Sequence, residues 1–283
     1  MRVGFNMLLW TTHVTDDDLP LFESIKKAGY DGVEIPIFEG EPAHFEKVGK
    51  AIKDNGLGCT SVTVIPDEEH NPISADAANR KAAVDYFKWA IDCSQALDSD
   101  CLCGPMYQPL GVFSGEPPTE EEKQRAAEVH KQAGDLAAKA NLMLGLEFLN
   151  RFECYFLNTM ADAAAYVKRV DHPNCGVMFD TFHANIEEKD PVGCITEHID
   201  VIKHVHISEN DRGTPGKGHI DWDGTFKALR SGGYDNWLVI EAFGRALPDL
   251  AAATRVWRDF FPSRDGVYIE GLKFIKDQWE SAA

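Results

Sequence analysis

Eight short apolar, β-rich runs alternating with amphipathic helical stretches predict a single-domain (β/α)8 TIM barrel over residues 1–283. Strands that alternate with helices pair in parallel through right-handed crossovers. Eight such units fit a chain of 283 residues. The rival is a doubly wound sheet, but no Gly-x-Gly-x-x-Gly follows the first apolar run.

The first strand is read at Val3–Leu8. A helix over Asp17–Ala28 follows, its Asp16-Asp17-Asp18 start suiting the positive end of a helix dipole. Ala28-Gly29-Tyr30-Asp31-Gly32 reads as a glycine C-cap entering the second strand, Gly32–Ile37. A helix over Phe45–Asn55 ends at Asn55-Gly56-Leu57-Gly58 and leads to the third strand, Thr60–Ile65. A long helix over Ala75–Leu97 precedes the short fourth strand, Cys101–Pro105. Next come helix Glu120–Ala140, strand Leu142–Phe148, helix Met160–Val170 and strand Gly176–Asp180. A short helix near Val192–His198 leads to strand Val201–Ile207, then helix Trp222–Ser231 and the eighth strand, Trp237–Glu241. Helical stretches over about Asp249–Phe260 and Gly271–Ser281 close the chain.

The chain carries 46 acidic and 28 basic side chains, a formal net charge of −18. Nucleic acids and anionic membranes are bound through Lys and Arg, so this balance argues against both as partners. No run approaches the roughly 18 apolar residues of a spanning helix, and Met1-Arg2-Val3-Gly4-Phe5 shows no signal-peptide pattern. Seven scattered cysteines, an odd number, make no disulfide framework. The expected location is therefore cytoplasmic, in a reducing compartment.

Chemistry in such a barrel gathers at the C-terminal ends of the strands. Four consecutive strands end in a metal-competent side chain: Glu147, Asp180, His206 and Glu241, at intervals of 33, 26 and 35 residues. One acidic residue after an apolar strand is usually a helix cap. Four in register are not explained that way. A carboxylate in a barrel mouth pays several kcal/mol of desolvation unless a positive group offsets it, and no lysine or arginine stands near three of the four. A divalent cation is the expected partner. Three carboxylates and an imidazole suit Mn²⁺, Mg²⁺ or Co²⁺ better than zinc. Their mutual repulsion is expected to raise at least one carboxylate pKa.

The segments after these strands read Glu-x-x-Asn-Arg-Phe-Glu from Glu147, Asp-Thr-Phe-His-x-Asn-Ile-Glu-Glu from Asp180, and His-x-x-Glu-x-x-Arg-x-x-Pro-Gly-x-Gly from His206. Glu-x-Phe from Glu241 and Val256-Trp257-Arg258-Asp259 complete the set. From about Gly145 to Arg258 the chain closely resembles the ketose 3-epimerases of the D-tagatose/D-allulose (D-psicose) group, members of the xylose-isomerase-like sugar epimerases. The resemblance implies that Glu147, Asp180, His206 and Glu241 hold one divalent metal, Mn²⁺ foremost, with Co²⁺ or Mg²⁺ as substitutes. It implies that Glu147 and Glu241 are the catalytic pair, that Glu153, His183 and Arg212 hold the O1/O2 end of a monosaccharide, and that the chain forms a homodimer or homotetramer.

Elementary chemistry agrees with that division. Removing the proton from C3 of a ketose sends charge onto O2, which a metal stabilises as a Lewis acid. Epimerisation then needs a base on one face and an acid on the other. The expected reaction is epimerisation at C3 of an unphosphorylated ketose of the D-tagatose, D-allulose/D-fructose or L-ribulose type, through a cis-enediolate. The alternative is an aldose–ketose, keto-inositol or hydroxypyruvate isomerase using the same metal site. Phosphodiester cleavage, which also occurs on this barrel, calls for more histidines and a basic face. A non-catalytic sugar-binding module would have no use for both glutamates.

The chain departs from the family around its fourth strand, where Gly104–Gly115 is expected to cover the distal end of the sugar. Trp10, Phe38, Tyr107, Phe113 and Phe243 are candidate walls, with Tyr107 and Phe243 favoured as substrate contacts. Other residues have plainer readings. Cys101 and Cys103 are expected to be buried, and Lys217 sits in a tight glycine turn. His204 shares a strand face with His206 and packs in the barrel or orients that ligand from behind. Glu34 is either a buried hydrogen-bonding group or a water holder.

Overall fold

The computed structural model describes residues 1–282. Its strands are β1 Arg2–Asn6, β2 Gly32–Pro36, β3 Gly58–Val62, β4 Cys101–Gly104, β5 Met143–Glu147, β6 Cys175–Asp180, β7 Ile202–Ile207 and β8 Trp237–Ile240. All pair in parallel in sequence order, and β8 returns to β1, so the barrel is closed. The helices are α1 Pro20–Ala28, α2 Pro42–Asp54, α3 Ala77–Ala96, α4 Glu120–Lys139, α5 Met160–Val170, α6 Thr181–Glu187, α7 Gly193–His198, α8 Trp222–Ser231, α9 Pro248–Ala253 and α10 Arg264–Ser281. No helix among the described residues is long and apolar enough to cross a membrane.

Two apolar clusters hold this architecture. The larger includes Phe22, Phe45, Phe87 and Phe226 from the helices and Phe5, Ile35, Leu144 and Val205 from the strands. At about 25 cal/mol per Å² of apolar area removed from water, burial on this scale is the main stabilising force. The smaller cluster joins strand residues Val62, Cys101, Cys103 and Met178 to Leu8, Phe243, Ala251 and Val256.

Several boundaries differ from the sequence expectation for local reasons. β1 stops at Asn6, whose side chain accepts from the Leu8 N–H at 2.8 Å and opens a short 3-10 turn. β3 runs from Gly58 to Val62, beginning two residues and ending three residues earlier than expected. α1 starts at Pro20, not Asp17: Asp18 folds back onto the Thr15 N–H at 2.8 Å, and Pro20 suits a first helical position. The last helical stretch is broken. α9 ends at Ala253, Arg255 adopts a left-handed φ of 60°, and Ser263 caps a new helix that starts at Arg264. α6 was not anticipated, because its cap is the candidate ligand Asp180 itself.

Candidate active site

Asp180 and His206 are register partners on adjacent strands, so the barrel sets them side by side at its C-terminal mouth. Asp180 divides its two oxygens. Oδ1 accepts from the main-chain N–H groups of Phe182 at 2.6 Å and His183 at 3.2 Å, capping α6, while Oδ2 turns toward His206 Nδ1 at 3.7 Å. Glu147 is the last residue of β5. Glu241 follows β8, its N–H bonded to the Ile207 carbonyl at 3.3 Å. Its Oε1 lies 3.4 Å from His206 Nδ1.

The ring of His206 is held from behind. Its Nε2–H donates to Glu34 Oε1 at 2.6 Å, and His204 Nε2–H donates to Glu34 Oε2 at 2.8 Å. Burial alone would raise the pKa of Glu34, but His206 and His204 hold it well below the usual carboxylate range. Burial works against charge on His206, yet Glu34 and then Glu241 raise its pKa well above that of an ordinary imidazole. His206 Nδ1 is buried and has no hydrogen-bond partner among the described residues. A field that favours a proton on that nitrogen favours a metal cation there equally.

Arg212 corrects one sequence expectation. No lysine or arginine was expected near three of the four ligands, yet its Nη1 donates to Glu241 Oε2 at 2.6 Å, Ser208 Oγ at 2.8 Å and Asp180 Oδ2 at 3.2 Å. The loop after β7 delivers it by folding back. Arg212 takes a left-handed φ of 62°, its carbonyl accepts from the Phe243 N–H at 2.9 Å, and its guanidinium lies 3.9 Å from the Phe182 ring centre. Burial would raise the Asp180 pKa, but Arg212 leads the groups that hold it well below the usual range.

Glu147 has no such partner. Burial first, then Glu241 and Asp180, push its pKa well above the usual carboxylate value, the effect expected from crowded carboxylates. Its Oε1 lies 3.5 Å from His183 Nε2. The Asn150 N–H donates to His183 Nδ1 at 3.0 Å, which assigns the ring proton to Nε2. Burial, and then Arg212, push the His183 pKa down to about 3, so the ring is neutral. Arg212 Nη2 lies 2.9 Å from that Nε2, and both groups line the same cavity. Glu153 accepts from Asn150 Nδ2 at 2.7 Å, and burial raises its pKa. A forked ion pair between Arg151 and Glu187, closing at 2.8 Å, clamps this loop to α6.

These groups open onto a cavity of about 220 Å³ whose lining includes Glu147, Glu153, His183, Arg212 and Glu241. Asp180 and His206 lie beneath it, fully buried. The other walls are Leu8, Phe38, Val62, Val64, Pro105, Leu110, Leu149, Phe243, Leu250, Ala253 and Thr254. Phe243 and Phe38 thus stand where the sequence puts them, and Pro105 and Leu110 bring in the loop after β4. Tyr107 does not. Its hydroxyl sits 3.2 Å from Cys154 Sγ and its ring packs on Phe156, so it belongs to the core and is withdrawn as a substrate contact. Trp10 packs on Phe5 and Tyr268, and Phe113 lines a separate surface cleft. Lys217 pairs with Glu270, and the Gly216 N–H donates to Glu209, as befits a turn.

The donor set fits a divalent cation. Asp180, His206 and Glu241 offer ligand atoms within 4.8 Å of one another, as do Glu147, Asp180 and His183. The bare Nδ1 of His206 faces two carboxylate oxygens, an arrangement of acceptors that a cation relieves.

Fold and mouth together define a class, the xylose isomerase-like TIM barrel, whose family pattern matches residues 22–278. The chain is 31% identical to a probable ketose 3-epimerase of Synechocystis sp. over 99% of this chain and 98% of that protein. It is 32% identical to a D-psicose 3-epimerase of Agrobacterium fabrum, over 94% of this chain and 93% of that one. A solved L-ribulose 3-epimerase superposes with a TM-score of 0.92 at 29% identity, covering 99% of this chain and 95% of that chain. The chain belongs to the ketose 3-epimerase family.

Proposed function

We propose that this protein epimerises an unphosphorylated ketose at C3, with Glu147 and Glu241 as the base that removes the C3 proton from one face and the acid that delivers another to the opposite face. The observation that carries the proposal is that these two carboxyl groups line one cavity from separate arcs of the barrel. Glu147 is held toward its protonated form by burial and by neighbouring carboxylates. Glu241 is tied to the Arg212 guanidinium at 2.6 Å. The two carboxyl groups come from β5 and β8, with β6 and β7 between them on one side and β1 to β4 on the other. A substrate between them is open to proton transfer on either face, and the reverse reaction exchanges the roles.

Glu147, Asp180, His206 and Glu241 would hold a divalent cation, Mn²⁺, Co²⁺ or Mg²⁺, which when bound stabilises negative charge developing on O2. Arg212, His183 and Glu153 line the cavity together, donors and an acceptor suited to the oxygens at the O1/O2 end. Apolar walls flank the rest of the substrate. Arg212 is the one cationic side chain among the described residues lining the cavity, and its charge is already offset by Glu241 and Asp180. A sugar phosphate would find no free partner there.

The test is product analysis by NMR after incubating the Mn²⁺-loaded protein with D-fructose, D-allulose, D-tagatose and L-ribulose. Ketoses inverted at C3 are expected from at least one of them. Aldoses as the products would move the assignment to a 1,2-isomerase built on the same residues.

A further inference from the structure

Glu34 is not one of the four residues proposed above to hold the metal, nor one of the three proposed to hold the sugar. It lies within ligand distance of Cys103, His204 and His206, and it accepts five hydrogen bonds at the centre of the barrel. Oε1 accepts from Asn6 Nδ2 at 2.9 Å and His206 Nε2 at 2.6 Å. Oε2 accepts from Thr60 Oγ1 at 2.9 Å, Cys103 Sγ at 3.2 Å and His204 Nε2 at 2.8 Å. These donors come from β1, β3, β4 and β7, so one carboxylate from β2 ties together four other strands. Burying a carboxylate is unfavourable by several kcal/mol unless its lone pairs are used, and here five donors use them.

The arrangement has a direction that simple structural bonding does not require. Both imidazoles give their Nε2–H to Glu34, which leaves Nδ1 as the ring nitrogen open to a ligand, and neither Nδ1 has a hydrogen-bond partner among the described residues. His206 Nδ1 is thereby aimed between Asp180 Oδ2 and Glu241 Oε1, at 3.7 and 3.4 Å. A metal-bound histidine commonly gives its other ring N–H to a carboxylate, which fixes the tautomer and strengthens the ligand.

We propose that Glu34 is a positioning residue that locks His206 in the tautomer and orientation presenting Nδ1 to the cation, with His204 bracing the same carboxylate. The proposal rests on the metal site described above. Glu34→Gln keeps the shape but removes the negative charge and replaces one acceptor by a donor. Loss of such a partner weakens metal binding by about 10–100-fold.

The experiment is Mn²⁺ titration calorimetry on wild-type protein, Glu34→Gln and Thr60→Val, with the visible absorption of the Co²⁺ forms recorded in parallel. Glu34→Gln should bind Mn²⁺ about 10–100-fold more weakly and shift the Co²⁺ band. Thr60→Val, which removes a donor on the Oε2 side and leaves the His206 bond in place, should stay within about twofold of wild type by the same reasoning. Circular dichroism of the chelated proteins separates a binding defect from unfolding. Should Glu34→Gln not fold, long-range ¹H–¹⁵N correlation on the Mg²⁺-loaded wild type decides the matter: the His206 proton belongs on Nε2, and a proton on Nδ1 overturns the proposal. Wild-type protein that binds no metal would sink the metal site itself. Wild-type binding with an unchanged affinity and Co²⁺ spectrum in Glu34→Gln would sink the role of Glu34 alone.

Discussion

At the N-terminal end of the barrel an indole fills the opening, and at the C-terminal end carboxylates, imidazoles and a guanidinium line it. Trp237, at the start of β8, reaches toward β2 and β3 because Gly32 and Gly58 leave room for it. A Cβ on Gly32 would stand 2.4 Å from the indole and 2.6 Å from the Gly58 carbonyl. The indole N–H donates to Asp100 at 2.9 Å and the Arg2 guanidinium lies 4.2 Å from the ring centre, so the plug has no unsatisfied polar atom. The mouth is the reverse. Glu147 has its pKa driven up by neighbours of its own sign, and Glu34 and Asp180 are ionised only because His206, His204 and Arg212 oppose their burial. One end contributes stability, and the other holds destabilising groups in place for chemistry.

That contrast can be broken from either side. The largest effect belongs to the mouth. Glu147→Gln and Glu241→Gln should each lower turnover by about 10²–10⁴-fold, the usual contribution of a general acid or base. Glu147→Gln should also leave the chelated protein as stable as wild type or more so, because it removes one of the crowded carboxylates. Either variant retaining near-native rates with metal occupancy verified would remove the two-carboxylate scheme.

The smaller effect belongs to the plug. Trp237→Ala should lower stability by about 3–5 kcal/mol, the range for deleting a buried aromatic side chain, as read from denaturant midpoints. Turnover per folded molecule should change less than about threefold, well under the loss from removing an acid or base. A drop as large as that of the glutamate variants would show that the two ends are coupled, contrary to this account.

What the sequence makes legible follows from the range of each interaction. Strand and helix periodicities are local, so every barrel strand and the order Glu147, Asp180, His206, Glu241 can be read from residues a few positions apart. Arg212 could be assigned to the mouth by resemblance, but not its bonds to Asp180 and Glu241, which depend on a left-handed residue and a loop that folds back. α6 has no apolar period to announce it, and its cap was taken up by the ligand reading of Asp180. Tyr107 illustrates the opposite error: an aromatic residue just beyond a strand end looks like a pocket wall until Cys154 and Phe156 are seen to pack on it. Glu34 had one usable signal, an acid inside an apolar strand, but its partners lie 26 to 172 residues away in the chain.

The central claim is that Glu147 and Glu241 act on opposite faces of C3, one removing its proton and the other delivering a different one. Turnover of the responsive ketose in D₂O by the Mn²⁺-loaded protein, followed by NMR of the recovered sugars, tests it most directly. A carboxyl group that reprotonates the opposite face exchanges with solvent first, so deuterium should accumulate at C3, with C1 and C4 unlabelled. Deuterium at C1, or epimerised product with no label at C3, would contradict the account.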